Sequence, residues 1–173
     1  IVELAKLVVN KKGFVSMQKI TSVHKPYGLR TDALDNPSKY GLPPIQHNKL
    51  KDTDIKVYGL INRRQSEVYI TYNYPLPRKT KNIDKFKVFV PYAWGNMDEK
   101  AGLGGAFSDI IVGYPNEITT ESFQEQGGYD SLEKAEFHAK YIMTRFARAC
   151  LYVNKYSQHS TTAWGAVPVQ DFS

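Results

Sequence analysis

The sequence is poor in cysteine and has no long apolar run. Cys150 is the only cysteine among 173 residues, so an internal disulfide is excluded and a cysteine-rich zinc site is not expected. No apolar run approaches the ~20 residues of a membrane-spanning helix. Glu3 and Lys6 interrupt the first apolar residues, so the N-terminus does not resemble a secretory signal. These features predict a cytoplasmic protein that does not bind a membrane.

The motifs of nucleotide-binding and catalytic sites are also missing from the sequence. The glycines within residues 95–105 form neither a GxGxxG turn nor a GxxxxGK[ST] phosphate loop. The four histidines lack metal-ligand spacing, and Asp109, Glu117 and Glu121 lack the acidic-x-Lys element of a metal-dependent nuclease. Residues 36–40 (NPSKY) differ from the Asn-Pro-Pro-Tyr motif of amino-group DNA methyltransferases, because serine replaces a proline and an extra lysine displaces the ring. We therefore predict no catalytic residue, cofactor or metal within the chain.

The composition is instead basic and rich in tyrosine. Lys and Arg number 23 against 17 Asp and Glu, which gives a formal net charge of +6. A chain of this charge is a candidate for binding nucleic acid. Each of the 12 tyrosines offers a ring for stacking and a hydroxyl for hydrogen bonding.

Hydrophobic periodicity predicts a single α+β domain with an antiparallel-rich sheet, a short N-terminal helix and a long C-terminal helix. The predicted helices cover residues 1–9 and 131–155. The predicted strands cover residues 55–61, 67–72, 86–90, 109–112, 118–124 and 166–169. The first two strands form a hairpin connected by residues 62–66, and strands 109–112 and 118–124 are expected to form a further pair. In the preceding loop, Pro26 is expected to hold Lys25 in an extended conformation.

The C-terminal helix has the clearest pattern of the predicted elements. Asp130 is predicted to cap it, and Glu133 to complete a capping box. Its apolar residues recur at three- and four-residue steps, and the predicted buried stripe is Ala135, Ala139, Ile142, Met143, Phe146, Cys150 and Val153. The opposite face carries cations and rings: Lys134, His138, Tyr141, Arg145, Arg148, Tyr152 and Lys155. Such a face suits contact with phosphates and stacking on bases; the alternative is a solvated face whose arginine stems cover apolar surface.

Two more groups of cations lie outside this helix. Arg63 and Arg64 at the hairpin tip can enter a DNA groove, where arginine reads guanine or a narrow minor groove. A third basic cluster follows the second strand and consists of Arg78, Lys79, Lys81, Lys85 and Lys87. The alternative for both groups is a solvated, charged loop.

Four segments together resemble one protein family. Residues 22–29 (SVHKPYGL) resemble a Ser-x-Arg-Lys-Pro-Phe-Gly-Leu segment that follows the catalytic core of adenine-specific DNA methyltransferases of restriction–modification systems. Residues 113–123 (GYPNEITTESF) resemble that family's Pro-Asn…Thr-Glu-Thr-Tyr stretch. Residues 141–148 (YIMTRFAR) and 167–173 (VPVQDFS) resemble its Tyr-x-x-Thr-Lys-Phe-x-Arg and Val-Pro-x-Gln-Asp-Phe-Ser endings. The resemblance spans about residues 14–173, with His24 where arginine is usual.

The resemblance implies a target-recognition region for double-stranded DNA, without catalytic activity of its own. The parent protein would methylate adenine with S-adenosylmethionine bound by a catalytic domain in the same chain, and would cleave DNA if a nuclease domain is fused to it. The sequence is then a piece of a longer protein, with residues 1–13 leading from the missing domain. Base contacts are expected from residues 24–30, which include His24, Lys25 and Arg30, and from the hairpin tip; the cations of the C-terminal helix would hold the DNA backbone.

Two other interpretations stay open at this point. The chain could be an endonuclease domain of the same kind of system, or a protein–protein docking module whose basic charge meets an acidic partner. The recognition sequence and the oligomeric state do not follow from the sequence.

Overall fold

In a computed structural model, which describes residues 2–92, 110–153 and 161–171, three α-helices accompany two three-stranded sheets. The helices are α1 (Val2–Val9), α2 (Leu132–Ile142) and α3 (Arg145–Val153). The strands are β1 (Ile55–Ile61), β2 (Arg64–Ile70), β3 (Phe86–Pro91), β4 (Ile111–Gly113), β5 (Glu117–Thr119) and β6 (Phe123–Tyr129). The predicted α+β class is confirmed, and among the described residues no helix is long and apolar enough to cross a membrane.

The first sheet has the order β2-β1-β5 and contains the predicted hairpin. β1 pairs antiparallel with β2, from Ile55 opposite Ile70 to Ile61 opposite Arg64, and parallel with β5. The connection is shorter than predicted, because only Asn62 and Arg63 lie between the strands. Both have positive φ angles, 49° and 63°, as in the type I′ turn that matches the twist of a hairpin.

The second sheet has the order β4-β3-β6 and is antiparallel throughout. The predicted pairing of strands 109–112 and 118–124 is wrong, because β4 pairs with β3 whereas β5 joins the other sheet. A turn separates β5 from β6, closed by the Phe123 N–H donating to the Thr120 carbonyl at 3.2 Å. The predicted C-terminal strand is also wrong: a 3₁₀ helix, Thr161–Ala166, ends there, and Pro168 forms a single bridge with Ser16.

The predicted helix over 131–155 is interrupted, and its parts are α2 and α3. Ser131, not Asp130, caps α2, since its hydroxyl accepts the Lys134 N–H at 3.4 Å. Asp130 instead pairs with Lys85 at 2.5 Å. The break has a local cause: the Thr144 hydroxyl accepts the Ala147 N–H at 3.2 Å and so caps a new helix.

The interruption also changes which side chains are buried. Ala135, Ile142 and Cys150 of the predicted stripe lie in the core, but Met143 and Phe146 are exposed. In α3, Ala147 and Leu151 join Cys150 on the buried face. The predicted buried stripe assumes one continuous helix. Because α3 starts anew after Thr144, it presents a different face to the core.

Three groups of side chains form the described core. The second sheet packs against α2, α3 and the 3₁₀ helix through residues such as Val88, Leu151 and Trp164. The first sheet packs against the loops of residues 27–34, with Tyr27 fully buried. Tyr58, Phe89 and Phe123 form the third group, which joins the two sheets.

Candidate nucleic-acid interface

The loop of residues 22–29 is fixed to the rest of the protein by hydrogen bonds along its length. The Ser22 N–H donates to the Glu125 carbonyl at 2.7 Å, and the Arg78 N–H donates to the Tyr27 carbonyl at 3.3 Å. Gly28 has a φ of 78°, and a Cβ there would lie 2.6 Å from the Pro77 side chain. The loop is therefore rigid, and its residues 22–25, which are exposed or partly exposed, are called here the ridge.

Lys25 in this ridge does not have the predicted extended conformation. Its φ is 58°, in the left-handed region, although a following proline normally disfavours helical angles. The Gly28 N–H donates to the Lys25 carbonyl at 3.0 Å and closes a turn over Pro26 and Tyr27. Arg78 holds the turn from outside, because its Nη1 lies 3.4 Å from the His24 carbonyl and 3.3 Å from that of Lys25.

On one side of the ridge lies a cleft of about 640 Å³, which we call the basic cleft. Its walls come from residues 19–23, 78–82 and 127–129 and from the C-terminal residues 169–171. Five cationic side chains line it: Lys19, Arg78, Lys79, Lys81 and Lys134. The acidic residues among its lining are Glu125 and Asp171. The cleft therefore carries a net positive charge.

The floor of the basic cleft is a buried polar network around Glu125. Glu125 is 1% exposed and accepts hydrogen bonds from the Tyr27 hydroxyl and, at 3.1 Å, from the Asn82 side chain. Burial, and then the neighbouring Glu125 carboxylate, raise the pKa of Tyr27 far above its ordinary value. Asn82 also donates to the Gly127 carbonyl at 2.7 Å, and a Cβ on Gly128 would lie 2.4 Å from the Asn82 side chain. The network fixes the 78–82 segment against β6.

Lys87 lies beneath the same segment and supports it. Its ammonium group is buried and donates to the carbonyls of Asn82 at 3.1 Å and Ile83 at 3.0 Å. Burial lowers the pKa of Lys87 to about 8, against the opposing effect of nearby carboxylates such as Glu125. This lysine is thus a structural residue and does not line the cleft.

On the other side of the ridge lies a second cleft of about 710 Å³, which we call the hairpin cleft. The predicted site residues His24, Lys25, Arg30 and Arg63 line it, together with Glu121. Its remaining walls are largely apolar or aromatic and include Leu60, Pro91, Tyr92 and Phe123. The His24 ring stacks on the Tyr92 ring, with centroids 4.7 Å apart and an interplanar angle of 21°.

Glu121 is the carboxylate of the hairpin cleft. Its Oε2 lies 3.4 Å from the His24 Nε2 and 3.4 Å from the Lys25 Nζ, and its Oε1 accepts the Thr31 N–H at 3.0 Å. Burial acts to raise the pKa of Glu121, but the Thr31 N–H, Lys25 and His24 outweigh it and lower that pKa. The carboxylate is therefore ionised at neutral pH, and it links the ridge to Thr31, the first residue of a short 3₁₀ helix.

The tip of the hairpin is held in position over this cleft. The Asn62 N–H donates to the two Asp35 carboxylate oxygens at 3.2 and 3.3 Å. Leu60 and Gln65 are opposite each other in the β1–β2 register and both line the cleft, as Arg63 does. Arg64 pairs with Ile61 on the other face of the hairpin, so its side chain is directed away from the cleft.

The structure therefore brings eight of the predicted site residues to two adjoining clefts. Arg78, Lys79, Lys81 and Lys134 line the basic cleft, and His24, Lys25, Arg30 and Arg63 line the hairpin cleft. Among the described lining residues, neither cleft includes Arg64, Arg145, Arg148 or Tyr152. Arg145 and Tyr152 are exposed on α3 and Arg148 is partly buried there. Lys155, Asp109 and the glycines of residues 95–105 lie outside the described residues.

Two residues of the predicted basic face are not available to a ligand. His138 is fully buried, with its Nδ1 3.0 Å from the Tyr129 hydroxyl, and burial lowers its pKa to about 3. Tyr141 donates from its hydroxyl to the Pro168 carbonyl at 2.8 Å and so holds the C-terminal segment. The prediction of one basic face along the helix is wrong, because α2 packs on the second sheet with the face that carries these residues.

Among the cleft residues that were not predicted, two add a cation and a ring. Lys19 adds a cation to the basic cleft, and Tyr92 provides a ring in the hairpin cleft. Neither belongs to a cluster in the sequence, since Lys19 is distant from the other cations and Tyr92 follows a buried strand. Their positions arise from the packing of the ridge on the second sheet, and no local sequence pattern indicates that packing.

No protein-family model, curated protein or solved structure matches this chain. Within the described residues, no group of three or more His, Cys, Asp and Glu side chains is arranged to hold a metal ion. The interpretation of the two clefts depends on their own chemistry and on the motifs in the sequence.

Proposed function

We propose that this chain binds double-stranded DNA through the two clefts and acts as the target-recognition region of an adenine-specific DNA methyltransferase. Its parent would carry the catalytic domain, bind S-adenosylmethionine there and act in the cytoplasm. The observation that carries the proposal is that two clefts lined by cations adjoin each other. Arg78 lines the basic cleft, and its Nη1 lies 3.4 and 3.3 Å from the carbonyls of His24 and Lys25, which line the hairpin cleft.

The distribution of charge over the surface supports an anionic partner for these clefts. Lys19, Lys79 and Lys81 have no ion pair within the described part of the chain and are exposed. A third cleft, of about 580 Å³, has the opposite balance, since Asp52, Asp54 and Glu117 outnumber its two lysines. Among these three clefts of the described residues, cations thus outnumber acids in the basic cleft and the hairpin cleft, as a phosphate-binding surface requires.

The two clefts suit different parts of a duplex. The lysines of the basic cleft are point charges on flexible stems, which suit phosphates and carry no sequence information. Arg63 projects from a rigid two-residue turn and has the planar guanidinium that pairs with guanine through two hydrogen bonds. In the proposal the basic cleft holds the backbone and the hairpin tip reads bases.

The test is a titration of a fluorescently labelled duplex at several salt concentrations. The logarithm of the affinity is expected to fall linearly with the logarithm of the salt concentration, with a slope of about 0.9 per phosphate contacted. Replacing Lys79 and Lys81 by alanine together is expected to reduce that slope by about 2 and to weaken binding to every sequence equally. The matched control is Lys11→Ala/Lys12→Ala, which removes the same charge from an exposed turn that lines neither cleft.

Equal losses in the two double variants would mean that net charge alone attracts DNA and would contradict the assignment of the cleft. Absence of binding at low salt would contradict the proposal and favour the docking module instead. Incubation of the chain with plasmid and magnesium separates the endonuclease interpretation, which requires nicking.

A further inference from the structure

The hairpin cleft differs from a surface that only contacts the DNA backbone. It contains a pair of stacked rings, His24 and Tyr92, beside the apolar side chains of Leu60, Pro91 and Phe123. Its volume of about 710 Å³ falls within the range of about 300–1,000 Å³ that is usual for small-ligand sites. Phosphates do not need rings or apolar walls, whereas a base outside the helix is bound by stacking on aromatic rings.

The polar groups of the cleft are arranged for a base with its sugar–phosphate flanks. Arg30 and Arg63 are exposed cations among its lining residues, whereas Glu121 is an acceptor inside it. The Glu121 side chain is 16% exposed, and its contacts with His24 and Lys25 are both 3.4 Å long. A carboxylate is a hydrogen-bond acceptor suited to an exocyclic amine, such as the N4 amine of cytosine.

We propose that the hairpin cleft binds one unstacked nucleobase that bears an exocyclic amine, with the His24–Tyr92 pair as its stacking surface and Glu121 as the acceptor. The His24 side chain is 45% exposed, so a base can reach the ring pair from solvent. The inference rests on the proposed function, because it assumes that the chain binds DNA. It adds that one nucleotide leaves the stack and enters this cleft.

The experiment compares three duplexes of the same length and sequence with the complete 173-residue chain. One is fully paired, one has a single extra cytosine at its centre, and one has an extra thymine there. A base that is already unpaired saves the cost of extrusion, so the cytosine bulge is expected to bind about tenfold more tightly than the paired duplex. The thymine bulge is expected to gain less, since thymine has no exocyclic amine.

Variants assign the effect to the cleft. Tyr92→Ala and His24→Ala are each expected to reduce the preference for the cytosine bulge to about one, whereas Tyr72→Ala keeps it. Tyr72 is a matched control because it is an exposed tyrosine that lines the third cleft. If Tyr92→Ala does not fold, as judged by circular dichroism, His24→Ala carries the test, since His24 is an exposed loop residue.

The outcomes separate this inference from the function on which it rests. Equal affinity for the paired and bulged duplexes, or a preference that survives both variants, would overturn the base pocket while leaving DNA binding intact. Equal binding of the two bulges would overturn the role of Glu121. Failure to bind any of the three duplexes would contradict the proposed function and this inference together.

Discussion

The basic cleft and the hairpin cleft lie on either side of one ridge, yet the side chains that line them differ in kind. The basic cleft has a floor in which Glu125 is buried and bonded to Tyr27 and Asn82. Its exposed lysines, Lys19, Lys79 and Lys81, make no ion pair with any residue that the structure describes. In the hairpin cleft the carboxylate of Glu121 is partly exposed and paired with cations of the ridge, and the walls are rings and apolar groups. The basic cleft therefore presents exposed lysines above a rigid polar floor, whereas the hairpin cleft is a pocket with aromatic and apolar walls.

The largest expected difference between the two clefts is in stability. Glu125→Ala leaves the buried Tyr27 hydroxyl and one Asn82 donor without an acceptor, and we expect a loss of about 3 kcal/mol or more in the free energy of unfolding. Glu121→Ala removes two partly exposed ion pairs and the exposed hydrogen bond from the Thr31 N–H, and a loss of about 1 kcal/mol is expected. Urea denaturation of both variants measures the contrast, and equal losses would show that the two carboxylates have the same role.

The hairpin tip tests whether the second cleft reads sequence. Arg63→Gly removes the guanidinium and suits the positive φ of 63°, so stability should be kept while discrimination at one base position falls by about 1–3 kcal/mol. Selection from a random duplex library measures the preference before and after the change. Arg64→Ala is the matched control, because that side chain lies on the other face of the hairpin. If Arg64→Ala lost the base preference instead, the side chain that reads bases would lie on the other face of the hairpin, outside the cleft.

A smaller effect on the free energy of unfolding, confined to alkaline pH, tests the role of Lys87 beneath the basic cleft. Because the pKa of Lys87 is about 8 in the folded protein and is ordinary when unfolded, only the unfolded chain stays protonated above pH 8. The unfolded state then binds more protons, so stability should rise by about 1–2 kcal/mol between pH 8 and pH 9.5. Above pH 10 the raised pKa values of partly buried tyrosines such as Tyr129 act in the opposite direction. Urea denaturation across this range checks the rise, which Lys87→Met should abolish; a rise that persists would belong to another group.

Local sequence patterns were enough to predict a strand whose alternating side chains are buried on one face of its own sheet. β1 alternates apolar and polar residues, and its predicted bounds are those observed. The break between α2 and α3 was not predicted, because no Gly or Pro interrupts the helical pattern and Thr144 is an ordinary helix-surface residue until it caps α3. His138 resembled a surface residue, but its partner Tyr129 comes from β6 and only the tertiary packing brings the two together.

The candidate site was predicted in part for the same reason. Clusters of cations in the sequence, such as Arg78 to Lys81, remain clusters in space. The addition of Lys134 and Lys19 to them depends on how α2 and the ridge pack on the second sheet. The assignment of Arg64 to the tip was wrong by one residue, because the turn length determines which face each side chain takes.

If the hairpin tip reads bases as proposed, the two-residue connection between β1 and β2 limits how the recognised sequence can change over evolution. A single inserted residue would shift β2 against β1 and exchange its inward and outward side chains, so Gln65 would leave the cleft and its neighbours would enter. Lengthening the loop is therefore a disruptive route to a new specificity. Exchange of the side chain at position 63, on an unchanged backbone, is the route that the hairpin permits.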